Sequence, residues 1–142
     1  MTPVIARRPS AFYPAVMTMP LPEDLERLAA MERSVSARLD AVDGNPANVL
    51  DAGAEVLAFA DLEERLFFPI LPLLDPLAAA ELEQEHHQLA DDLQLLHHLI
   101  AATPDSPDVG TLASALARRL RSHIARDGRL IAQGLRLAAA RM

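Results

Sequence analysis

Apolar residues recur along this chain at the three-and-four spacing of amphipathic helices, in four successive blocks. The first block carries Leu25, Leu28, Val35, Leu39 and Val42. The second carries Val49, Val56, Ala60, Phe67 and Leu71. The third has Leu82, Leu89, Leu93, Leu96 and Ile100, and the fourth Leu112, Leu116, Leu120, Leu130 and Leu137. No block alternates with the period of a strand, and no repeat of solenoid length is present.

Turn residues separate the blocks. Pro22, followed by Glu23 and Asp24, opens the first. Asn45-Pro46, Asp75-Pro76 and Ser106-Pro107 each set a capping side chain before a proline at the first helical position. Gly44 and the stretch "TPDSPD" close the segments before them. These signals predict helices near 22–43, 46–73, 76–102 and 107–140, with Pro69 and Pro72 kinking the second or ending it early. Short connections make sequential helices antiparallel neighbours. The expected fold is therefore all-α, an up-down-up-down four-helix bundle over residues 21–142. Residues 1–20 hold four of the eleven prolines and read as an N-terminal arm, tacked to the body by Phe12 and Tyr13.

Each stripe is interrupted, and each interruption is polar. Glu32 follows Leu28 by four residues, Glu63 follows Ala60 by three, and His86 follows Leu82 by four. In the last block His123 and Asp127 stand between Leu120 and Leu130. A rise of about 1.5 Å per residue puts all five in one layer of the bundle, to within about one turn at Glu63. Burying an ion without partners costs several kcal/mol. A divalent cation would neutralise such a layer, and mixed carboxylate and imidazole donors suit iron, manganese or zinc. The competing expectation is a metal-free histidine–carboxylate network that satisfies its own hydrogen bonds. Glu64 is expected at the edge of the layer. His87, His97 and His98 read as surface or core-edge residues, and the arginines of the last block as a solvated face that pairs across helices or across a dimer.

Composition narrows the chemistry. The 142-residue chain has no cysteine, which removes disulfides, thiolate nucleophiles and cysteine-based metal sites. It has no lysine, which removes Schiff-base chemistry and a phosphate-loop lysine. A net charge of −7 argues against nucleic acid as a partner. No apolar run approaches the roughly 20 residues of a membrane span, and prolines interrupt the first residues where a signal-peptide core would lie. The expectation is a cytoplasmic protein.

The segments "EERLFFPIL", "LEQEHHQL" and "HIARD", in this order, resemble the hemerythrin-like HHE cation-binding family over about residues 20–135. That resemblance implies a bundle with a metal centre in which Glu63 supplies the second-helix carboxylate, His86 the third-helix histidine, and His123 with Asp127 the fourth-helix pair. The family pattern also has histidines where this chain has Glu32 and Phe59, and true hemerythrins often add one where it has Ala90. A complete five-histidine di-iron site is therefore absent, and reversible dioxygen carriage is not expected. Two functions follow. One is a hemerythrin-like protein holding mono- or dinuclear iron, or zinc or manganese, at Glu32, Glu63, His86, His123 and Asp127. Its role would be sensing of oxygen, nitric oxide or redox state through a small diatomic ligand, or iron handling, rather than enzymatic turnover. The other is a degenerate, metal-free bundle that acts as an interaction module, as a homodimer.

Overall fold

Five helices, and no strand, make up the described part of the chain; a computed structural model describes residues 22–140. The expected arm at 1–20, with Phe12 and Tyr13, lies outside the described residues.

Helix α1 (Pro22–Asp40) starts with Glu23 and Asp24 in its first turn, where carboxylates meet the positive end of the helix dipole. Its far end is capped from a distance: the Arg121 guanidinium donates to the carbonyls of Leu39 at 3.2 Å and Val42 at 2.6 Å. Asn45 then caps α2 (Pro46–Leu66), its side-chain oxygen accepting from the amides of Ala47 at 2.9 Å and Asn48 at 3.3 Å. Both prolines of the second block act as expected, and together they divide it. The amides of Phe67 and Phe68 both close on the Glu63 carbonyl, and regular helix stops there, just ahead of Pro69. A one-turn helix, α3 (Leu71–Leu74), follows with Pro72 in its first turn, where a missing N–H costs nothing. The break turns Phe67, Ile70 and Leu71 into the core.

The third long helix starts later than the Asp75-Pro76 signal predicts. Asp75 accepts from the Leu77 amide at 3.1 Å and so forms a turn, and α4 spans Ala78–Ala102. Helix α5 (Pro107–Ala140) begins where expected, the Ser106 hydroxyl accepting from the Asp108 amide at 3.2 Å.

Helix α1 packs on α2 and α5, α2 on α4 and α5, and α4 on α5, while α3 lies against α4 and α5. One continuous core runs between them, with Phe59, Phe67 and a set of leucines fully buried. Small residues set the closest approaches. A Cβ on Gly53 would stand 2.5 Å from Leu93 Cδ2, and one on Gly134 2.8 Å from Phe67 Cε1. These glycines let α2 meet α4, and α5 meet the chain break after α2, at short range.

Candidate metal centre

Four of the five residues that interrupt the stripes converge. Glu63 from α2, His86 from α4, and His123 and Asp127 from α5 are the buried ionisable side chains among the described residues. Each offers one ligand atom, and these atoms all lie within 4.8 Å of one another. An ion with ligand bonds of about 2.0–2.2 Å separates opposite donors by about 4 Å, so the group could hold a metal after a small contraction.

Helix geometry explains the convergence. His123 and Asp127 are one turn apart on α5, and His123 Nε2 lies 3.0 Å from Asp127 Oδ2. His86 Nε2 lies 3.3 Å from Glu63 Oε1. The two imidazoles meet edge to face with centroids 4.9 Å apart, and Phe68 stacks on the outer side of His86.

The outer nitrogens of both imidazoles are occupied. His86 Nδ1 donates to Glu64 Oε2 at 2.7 Å, and His123 Nδ1 donates to Glu85. Each acceptor comes from the long helix preceding that of its histidine: a glutamate of α2 orients the imidazole of α4, and a glutamate of α4 orients that of α5. A carboxylate on Nδ1 fixes the tautomer, so the Nε2 lone pair points inward, as in carboxylate–histidine–metal arrangements. Glu64 thus lies at the edge, as expected, and has a partner there. Glu85 is a member of the site that the apolar pattern alone misses, because its half-exposed position reads as solvated surface. Its signal in the sequence is the tandem of Glu63-Glu64 with Glu85-His86, two adjacent pairs that each send one side chain inward and one to the rim.

Inside that frame the polar atoms have no well-aligned partner. Both Glu63 oxygens, both Asp127 oxygens, His86 Nε2 and His123 Nε2 are buried without a well-aligned hydrogen bond, the two nitrogens each lying near a carboxylate. An unsatisfied buried polar atom costs about 1–3 kcal/mol. Six of them would offset most of the roughly 5–15 kcal/mol by which a domain is stable. Protons, a buried water or a cation would each satisfy them.

The electrostatics show where protons would go. Burial, and next the Asp127 carboxylate, push the Glu63 carboxyl up to about 9. Burial alone would lower His123, but hydrogen bonds and attraction from Asp127 and Glu85 raise it above its ordinary value. Without a metal at neutral pH, Glu63 is a neutral acid beside Asp127. Two buried carboxylates side by side do not both ionise unless a positive charge joins them.

Glu32 stands apart from the four. It is half-buried, and its carboxylate lies over Gly128, where a Cβ would come within 2.9 Å of Glu32 Oε2. Burial, and then Asp127, raise its carboxyl above the ordinary range. The side chain reaches the rim of the centre beside Asp127 but offers no atom to the central group. Its stripe position on α1 is as expected; a side chain there ends at the α1–α5 seam rather than on the axis. Phe59, one turn before Glu63, is fully buried packing, and His87, His97 and His98 are exposed.

Comparison with known proteins brings no match: no family model, no curated protein and no solved structure is significantly similar to the chain. Among the described residues no helix is long and apolar enough to cross a membrane. What the described residues define is an all-helical body with a buried Glu/His/His/Asp group that could hold a metal ion.

Proposed function

We propose that the chain is a hemerythrin-like metal-binding protein, a four-helix bundle of α1, α2, α4 and α5 that holds a divalent cation, iron in the first instance. The observation that carries this is the paired orientation of His86 and His123. Both keep an outer carboxylate on Nδ1, and both turn Nε2 inward, to 3.3 Å from Glu63 and 3.0 Å from Asp127. The two inner nitrogens and the carboxylates around them form a mixed donor set that a divalent cation would join. The pairwise packing of the four long helices supports the bundle, and the segments around Glu63, His86 and His123 support the family.

In this reading the four buried side chains bind the ion, and Glu64 and Glu85 fix the imidazoles. Glu32 stands at the rim as a further carboxylate. A bound iron would supply redox chemistry and a position for a small diatomic ligand. Phe59, Phe67 and Phe68 would keep bulk water from it. The role proposed is sensing of oxygen, nitric oxide or redox state, or iron handling.

A metal-free interaction module is the second reading. It is favoured by the buried Phe59 and by the proton that Glu63 retains at neutral pH. Elemental analysis of protein purified without chelator from iron-supplemented culture separates the two. We expect about one equivalent of metal per chain or more, and a metal-free preparation whose melting point is indifferent to Fe²⁺, Mn²⁺ and Zn²⁺ removes the first reading.

The outer carboxylates provide an independent check. Glu85→Ala removes a half-exposed side chain and should leave the fold intact. It is expected to weaken Zn²⁺ binding by about 10–100-fold, measured by competition with a chelating dye. Unchanged affinity would mean that His123 needs no partner to bind.

A further inference from the structure

Helix α5 carries more arginine than the metal centre uses. Arg118, Arg119, Arg126 and Arg129 line an open cleft of about 600 Å³ against α4, with Glu85 and His123 also in its wall. Two of the four are already matched across the helices: Arg119 pairs with Asp92, and Arg126 pairs with Glu81 at 2.6 Å. Glu85 is engaged by His123. Asp92 and Glu81 are thus each matched by one arginine, and Glu85 is the acidic side chain left in the cleft wall. Arg118 and Arg129 have no ion-pair partner among the described residues, and the cleft keeps a positive surplus on a chain whose net charge is −7.

We propose that this cleft binds a small anion bearing carboxylate or phosphate groups. A volume of this size holds a small molecule. Leu89 and Ala115 give it an apolar contact, and Ser122 and Gln88 provide neutral donors. Arg118 and Arg129 are eleven residues apart on one helix, about 16 Å along its axis, so they bracket the cleft from its two ends. A guanidinium presents a planar fork that matches either oxyanion. A long polyanion fits less well, since Glu83 and Asp91 of α4 are exposed beyond the cleft and would repel it. A ligand lying here sits one side chain from the inner group, with the Glu85–His123 bond between. Arg118 and Arg129 belong to no part of the metal centre, so a failed metal assay leaves this proposal standing.

The test is an NMR titration of the full chain with azelate, a nine-carbon dicarboxylate, and separately with pyrophosphate, at matched ionic strength against chloride. Saturable shifts confined to α4 and α5 are expected for at least one probe, and which one saturates tells carboxylate from phosphate. Arg118→Ala with Arg129→Ala should weaken that binding at least tenfold, about 1.4 kcal/mol. Arg33→Ala with Arg136→Ala, which removes equal charge elsewhere on the surface, should not. No saturation with either probe up to about 10 mM, about tenfold above a dissociation constant of about 1 mM, overturns the proposal. So does an equal effect, or no effect, from the two double variants.

Discussion

Glu63→Gln is expected to bind Fe²⁺ or Zn²⁺ at least about 100-fold more weakly than the parent chain, beyond the roughly 10–100-fold that outer partners command. At pH 7 the same variant, stripped of metal, should melt within a few degrees of the parent. The two outcomes have one cause. The parent carboxyl is pushed up to about 9 by burial and by Asp127, so the metal-free protein already carries a neutral group at position 63. Glutamine copies that neutral acid in shape and charge, and loses only the ability to become an anionic ligand. Glu63→Ala would confuse the issue, because it also opens a cavity. Isothermal titration and calorimetric melting check the pair. A glutamine variant that takes up metal as tightly as the parent would remove Glu63 from the ligand set.

The inner group was largely legible in the chain because a single physical rule marks it. Helical stripes bury whatever stands on them, so polar residues at stripe positions are expensive unless matched. Glu63, His86, His123 and Asp127 were found by that rule alone, and the structure brings them together. Glu32 obeys the same rule and still ends at the rim. Spacing fixes a side chain's azimuth on its own helix, whereas the seam it reaches depends on how α1 leans on α5. Gly128 decides this: lacking a side chain, it lets the Glu32 carboxylate settle on the α5 backbone.

Glu64 and Glu85 expose the other limit of reading along a line. Each is one step off its stripe: Glu64 is expected only at the edge of the layer, and Glu85 looks solvated. Each instead reaches sideways to an imidazole on the next long helix, at sequence separations of 22 and 38 residues. No periodicity within one helix carries that information. The helix boundaries show a related limit. Proline signals located the starts of α1, α2 and α5, and Gly44 the end of α1 to within a few residues. Asp75-Pro76, however, made a turn before α4 began, because the Asp75 side chain bonded the Leu77 amide outside the helix.

Acidity offers the sharpest separation of the metal-bound and metal-free states. The Glu63 carboxyl lies at 4.5 when unperturbed and at about 9 in the folded, metal-free chain. The folded state therefore holds a proton that the unfolded state has released. A group raised in this way supports folding fully below pH 4.5, and that support is lost as pH climbs toward 9. Within the window the expected slope is a loss of about 1.4 kcal/mol per pH unit. His123, also raised, adds in the same direction above its ordinary value. A metal ion reverses the trend: it needs Glu63 as the anion, so binding expels the proton and strengthens as pH rises. Melting curves recorded from pH 5 to 9 should fall with pH in chelator, while the gap between chelated and Mn²⁺- or Zn²⁺-loaded protein widens. Glu63→Gln isolates the group from the general repulsion of an acidic chain, because it should flatten only the Glu63 part of the fall. A chelated parent whose melting point tracks that of Glu63→Gln at every pH would show that the buried carboxyl never holds this proton. The inner group would then lack the electrostatic frustration that calls for a cation.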